Sequence, residues 1–185
     1  LEADGYSVPN WVRAAAEAGG IYRESGLDLE VFDPATSAYV SAGEDPRLID
    51  LARHKRAGRV LVSNDAASLI DIGDGVALLE FHTKMNALDS EIGELAHRAM
   101  AVCDEQDFKG IVIGNQGENF SVGANLMLVW MNAQAGNFDE LEGMVKAFQD
   151  LTSALHQWHK PVVAAPHAMT LGGGCEICLG ADRVV

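Results

Sequence analysis

Glu176 stands two residues past the glycine run Gly172, Gly173, Gly174. If that run opens a helix, its first N–H groups have no intrahelical acceptor and can hold an oxyanion, with the carboxylate beside them as a general base. The surroundings predict this arrangement. The apolar run Pro161 to Ala165 reads as a strand, the glycines as a tight turn, and Cys175 to Leu179 as a helix start. Glycine also lets a ligand reach the main chain without meeting a Cβ. A plainer reading is that the glycines only permit close packing and Glu176 answers the helix dipole. This stretch alone leaves both open.

A second stretch has the same form. Ile111 to Gly114 is a short apolar strand, and after a polar loop come Phe120, Ser121, Val122, Gly123, Ala124, Asn125 and Leu126. Two such turns can each supply one N–H to a single carbonyl oxygen, which is what stabilising an enolate requires. Taken together, Phe120 to Leu126 and Leu171 to Glu176 resemble the two oxyanion-hole segments of the crotonase (enoyl-CoA hydratase/isomerase) superfamily, in order and spacing.

The resemblance implies specific roles. Ala124 and Gly173 would donate their backbone N–H groups to the acyl thioester oxygen, and Glu176 matches a catalytic glutamate of the hydratases. Coenzyme A thioesters are the family's substrates, so Lys84, Asn86, Ala87 and Leu88, with Ser121, Gly123 and Gly172, would lie near the acyl-CoA. Asn125 stands where many members carry aspartate. Hydratases of this kind use a second glutamate further along, and the nine residues after Glu176 contain none.

The elements that must position these turns follow from periodicity. Ser68 to Asp71 and Val76 to Phe81 are apolar strands joined by Gly73, Asp74 and Gly75, a hairpin signal. After a turn through His82 to Asn86, Asp89 can cap a helix with Ile92, Leu95, Ala96, Ala99, Val102 and Cys103 on one face. Lys109 to Gly114 returns as a strand, completing a strand, helix, strand unit. Helical structure is expected from Leu126 to Met131. A longer helix is expected from about Asp139 to Trp158, with Leu141, Met144, Val145, Phe148, Leu151, Leu155 and Trp158 as its core stripe. Arg183 to Val185 begins another strand. The expected class is α/β, the N-terminal part of a crotonase-like spiral of ββα units (the ClpP/crotonase fold) over residues 65–185.

Residues 1–64 read differently, as a small, mostly helical tail or linker. Pro9, Trp11, Val12, Ala15 and Ala16 suit a short helix ended by Gly19 and Gly20. Leu29 to Val40 suits a pair of extended segments about Asp33 and Pro34. Asp45 and Pro46 read as a helix start, with Leu48, Ile49 and Leu51 apolar and Arg53, Lys55 and Arg56 at a solvated C-terminal end. In layout this segment resembles the end of a bacterial 3-hydroxyacyl-CoA dehydrogenase fused ahead of an enoyl-CoA hydratase, which implies fatty acid β-oxidation. It also implies an NAD site upstream, since no G-x-G-x-x-G follows a first strand here. The Leu1 start reads as part of a longer product.

Composition bounds the alternatives. With 185 residues and 48% hydrophobic content, the chain can bury one core. A net charge of −14 opposes nonspecific binding to nucleic acid or anionic membranes. Neither a secretory pattern nor a membrane span is read, and the expectation is a cytoplasmic protein. Cys103, Cys175 and Cys178 are expected as reduced thiols. The C-x-x-C pair lacks the four ligands of a structural zinc site, and His156 with His159 has no acidic partner at metalloprotease spacing, so neither a metal nor a tightly bound cofactor is expected. The family resemblance admits a homo-oligomer, since many members trimerise through C-terminal helices. Three rivals remain beside the hydratase: an enoyl-CoA isomerase working with one carboxylate, a noncatalytic acyl-CoA-binding or assembly fragment, and a thiol-based module.

Overall fold

The computed structural model describes residues 5, 7–26, 28–43 and 48–185. The chain divides into two compact units, Leu1–Ala57 and Gly58–Val185.

In the first unit, helix α1 (Asn10–Glu17) begins after Pro9 and buries Ala15. A three-stranded antiparallel meander follows, β1 (Tyr22–Ser25), β2 (Asp28–Asp33) and β3 (Ala38–Ser41). The expected extended pair is present as β2 and β3, but β1 adds a strand and the segment is not mostly helical. Register explains the third strand: Arg23 lies opposite Glu30 and bonds it at 2.6 Å, and the Arg23 guanidinium sits 3.9 Å from the Tyr39 ring centre. These cross-strand contacts were hidden in a polar stretch with no apolar alternation. Helix α2 (Leu51–Arg56) is capped by Asp50, whose carboxylate accepts from the N–H of Arg53. The expected start at Asp45 and Pro46 lies outside the described residues. Leu48 and Ile49 precede α2 and are exposed, so only Leu51 forms its buried side. The basic end is paired on the surface, Arg53 with Asp28 and Arg56 with Glu24.

The second unit is built on a six-stranded sheet ordered β11-β10-β8-β6-β5-β4. Strands β4 (Val60–Ser63), β5 (Ala67–Gly73) and β6 (Val76–Phe81) run antiparallel, with the last two forming the expected hairpin. From β6 through β8 (Gly110–Ile113), β10 (Val162–Ala164) and β11 (Arg183–Val184) the pairing is parallel. Parallel neighbours need a crossover. Between β6 and β8 it is α3 (Ser90–Glu105), capped by Asp89 through the N–H of Ile92. Between β10 and β11 it is α6 (Gly173–Gly180).

Period-two alternation aims one face of the sheet at α3. Leu69 pairs with Leu79, Leu79 with Ile113, and Ile113 with Ala164, so these side chains share a face. All four are 1% exposed or less and belong to one core with Ile92, Leu95, Ala99 and Cys103 of α3. The helices α4 (Leu126–Ala135) and α5 (Phe138–Gln157) fill the connection from β8 to β10, separated by Gly136 in the left-handed conformation. The expected stripe on α5 holds only in its second half. Leu151 and Leu155 are buried, whereas Val145 is 58% exposed and Met144 is half-buried. The later turns are the ones that join the sheet's core, and the helix outruns it.

Candidate functional site

Because β6, β8 and β10 are parallel, the loops leaving their C-terminal ends come out at one edge of the sheet, the usual place for a site in such an architecture. Those three loops, with the first turn of the helix that follows the third, carry the residues expected to act on or lie near the thioester. After β6 the chain makes a 3-10 turn at Lys84–Asn86 and a short strand β7 (Ala87–Leu88). After β8 it forms β9 (Gly123–Ala124), parallel to β7 with Ala87 opposite Gly123 and Leu88 opposite Ala124. After β10 the loop joins the same layer through a parallel bridge between Ser121 and Thr170.

The main chains lock together by hydrogen bonds. Phe120 N–H donates to His167 O (3.1 Å), Ser121 N–H to Met169 O (3.1 Å), and Leu171 N–H to Ser121 O (3.0 Å). Asn125 N–H donates to Leu88 O (3.3 Å). Successive N–H groups of an extended strand face opposite sides, so the N–H of Ala124 is turned away from β7. Leu171 and Gly173 pack against β9 at Gly123. A Cβ on Gly123 would meet Leu171 O at 2.7 Å and Gly173 N at 3.3 Å. Gly173 is the first residue of α6, and its N–H has no hydrogen-bond partner among the described residues. Gly172 enters the helix with φ 49° and ψ −119°.

Glu176 is exposed on the first turn of α6, its N–H donating to Gly172 O (3.1 Å). It follows that the two turns and the carboxylate are brought to one edge by backbone pairing, and that the close approach of Gly123 to Leu171 and Gly173 cannot accommodate a side chain.

The expected substrate-side residues are distributed unevenly. Lys84 is exposed, while Met85 and Asn86 hold left-handed φ values of 58° and 53°. Asn86 is buried and donates from Nδ2 to Asn119 O (2.8 Å). Leu88 is buried in the core, and its Cδ1 lies where a Cβ on Gly173 would meet it, 2.9 Å away. Ser121 is completely buried. Asn125 caps α4, its side-chain oxygen accepting from Leu128 N–H (3.3 Å), a task that aspartate performs equally well.

A set of polar loop residues went unnoticed in the sequence. Asn115 donates from Nδ2 to Phe120 O (3.0 Å), Asn119 accepts from Met169 N–H (3.2 Å), and His167 Nε2 is 2.9 Å from Gly117 O. The Asn119 and His167 bonds tie the loop after β8 to the loop after β10, and Asn115 braces the first of these loops internally. Their only sequence signal is asparagine in a Gly-rich loop, which points to turn formation and names no partner.

Two of the three cysteines, Cys175 and Cys178, lie on α6 with Glu176, and Cys103 is on α3. All are free, with Cys103 and Cys178 buried and Cys175 exposed. Among the described residues no group of three His, Cys, Asp or Glu could hold a metal, and no helix is long and apolar enough to cross a membrane.

Comparison with known proteins adds the following. The family described as enoyl-CoA hydratase/isomerase matches residues 71–185. A Bacillus subtilis (strain 168) protein named "Probable 3-hydroxyacyl-CoA dehydrogenase" is 41% identical over 187 aligned positions, covering 100% of this chain and 23% of that protein. A Rickettsia prowazekii protein, "Putative fatty acid oxidation complex trifunctional enzyme", is 32% identical over 127 positions, covering 69% of this chain and 17% of its own length. This chain therefore spans less than a quarter of these relatives. The crystal structure of an enoyl-CoA hydratase from Polaromonas sp. JS666 superposes with a TM-score of 0.59 at 22% identity, over 64% of this chain and 47% of that one, and shares the fold.

Proposed function

Because this chain belongs to the enoyl-CoA hydratase/isomerase family, we propose that it is the hydratase region of a fatty acid β-oxidation multifunctional enzyme and serves to add water across the double bond of a 2-enoyl-CoA thioester. The observation that carries this reading is the approach of Gly123 to Gly173, 3.3 Å from a notional Cβ to the amide nitrogen, with Glu176 one turn along the same helix.

In this reading the thioester oxygen accepts from the N–H groups of Ala124 and Gly173. Glu176 removes a proton from water as the oxygen bonds to the β-carbon, and the double-bond electrons move onto the carbonyl oxygen. That charge is what the two amides stabilise, each worth about 3–4 kcal/mol in such a role. The α-carbon then takes a proton from an acid that the nine residues after Glu176 do not supply as a glutamate. Lys84, Asn86, Ala87, Leu88, Gly123 and Gly172 form the acyl-CoA side of the site, with Lys84 exposed to meet the anionic carrier.

The match of the Bacillus subtilis relative across the whole chain supports the reading of residues 1–64 as the end of a 3-hydroxyacyl-CoA dehydrogenase region, with NAD held outside this chain. A cytoplasmic homo-oligomer is part of the same proposal. An isomerase is the second reading, favoured because Glu176 is the only carboxylate in the segment 169–180.

The test is loss of the conjugated enoyl absorbance of crotonyl-CoA, beside Glu176→Gln. The hydratase reading expects turnover that falls about 100- to 10,000-fold in the variant. A folded chain that moves the double bond of a 3-enoyl-CoA but never hydrates crotonyl-CoA would establish the isomerase instead. One that binds the thioester without turnover, unchanged by the substitution, would leave a binding fragment.

A further inference from the structure

The hydroxyl of Ser121 is placed unlike that of a ligand-binding serine. Its side chain is 0% exposed, and Oγ donates to Asn86 O at 2.7 Å while accepting from Gly123 N–H at 3.0 Å. One hydroxyl thus joins the loop after β6 to the strand that presents Ala124. The other side of the residue touches the third loop. A Cβ on Gly174 would lie 2.8 Å from Ser121 Cβ and 3.2 Å from its Oγ, so the first turn of α6 rests directly on this side chain. Its main chain continues the pattern, donating to Met169 O and accepting from Leu171 N–H.

All three loops therefore meet at one small buried residue. The two amides assigned to the oxyanion belong to Ala124, three residues after Ser121, and to Gly173, adjacent to the glycine that rests on it. Their spacing is set by whatever holds these loops in register. The hydroxyl also fixes Asn86, whose φ of 53° is a conformation that needs support from its surroundings. With its proton donated to Asn86 O, a lone pair accepting from Gly123 N–H and no surface open, the Ser121 hydroxyl does not reach a substrate.

We propose that Ser121 is a positioning residue that sets the distance between the two oxyanion-binding amides: its buried hydroxyl bonds the loop after β6 to the strand presenting Ala124, and its main chain and Cβ hold the loop after β10 against them. This rests on the hydratase reading above and deepens it. Removing the hydroxyl leaves Asn86 O and Gly123 N–H without that partner, and the amide pair loosens while the substrate's other contacts stay in place.

The experiment compares wild type, Ser121→Ala and Ser121→Cys in the intact protein. It measures crotonyl-CoA hydration and the carbonyl stretch of a bound, non-reacting unsaturated CoA thioester by Raman difference spectroscopy. Ser121→Ala is expected to lower kcat about tenfold with KM within about twofold, and to return the carbonyl stretch part of the way toward its value in water. Ser121→Cys, close in size with a weaker donor, falls between. Near-ultraviolet circular dichroism shows whether Ser121→Ala is folded. Where it is not, the Ser121→Cys spectrum carries the test by the same shift. A wild-type carbonyl shift retained in the folded variants, with kcat unchanged, overturns the positioning role alone. A wild-type protein that neither binds nor turns over the thioester overturns the hydratase reading, and the inference with it.

Discussion

Gly123 and Leu171 approach so closely that a Cβ on the glycine would stand 2.7 Å from the leucine's carbonyl oxygen, a separation that real Cβ atoms do not adopt. That approach brings the strand presenting Ala124 against the turn presenting Gly173. It joins two loops that are far apart in sequence and leave different strands.

Gly123→Ala is expected to destabilise on two counts. The residue has φ +87°, which by itself costs about 1–3 kcal/mol for a side-chain-bearing residue, and the methyl group pushes on main chain that cannot rotate away. Gly143 is the control. It lies within α5 with nothing within 4 Å of a notional Cβ, so Gly143→Ala is expected to stabilise by about 0.5–1 kcal/mol. Urea midpoints measured on the two variants should move in opposite directions.

The thiols should separate by burial. Desolvation is the main influence on Cys103 and pushes it up to about 11, and desolvation first, then the neighbouring Cys175, raises Cys178. Thiolate is the reactive form, so an alkylating reagent at pH 8 is expected to label Cys175 quickly and the other two only after unfolding. Three equally fast thiols by mass spectrometry would show that the core around Cys103 opens in the native state.

Asp104 supplies a pH signature. Burial raises its carboxyl, but the bonds from Trp158 and Lys160 and the charges of His159 and Lys160 outweigh that and hold it below the ordinary carboxylate value of 3.8. A depressed folded value means the stabilisation is complete above pH 3.8 and is lost as pH falls through the lower, folded value. Asp104→Asn should thus lower the thermal midpoint at neutral pH, with the difference from wild type shrinking below pH 3.8. A difference constant down to the acid limit would show that the contacts are steric and not ionic.

What could be read from the chain alone were features fixed by neighbours in sequence. The Gly73 to Gly75 hairpin, the Asp89 cap, the α3 face and the Gly-rich entry to α6 each depend on spacing within a few residues, and each is present. The same local signals misled where burial depended on distant partners. The α5 stripe continues past the core it was expected to fill, whereas the helix expected from Leu126 to Met131 is present as part of α4. The first unit's third strand rests on Arg23, Glu30 and Tyr39, whose pairing no periodicity announces.

The sequence by itself determined the parts of the site: two small-residue turns, a glutamate behind one of them, and the family to which their combination belongs. Only the tertiary structure decided how the parts meet. Parallel pairing of β6, β8 and β10 delivers three loops to one edge, and the buried hydroxyl of Ser121 reaches Asn86 across thirty-five positions of chain while holding Gly123. A hydroxyl's partners are chosen by which donors and acceptors folding strips of water, and a serine's position in a sequence carries no record of that choice.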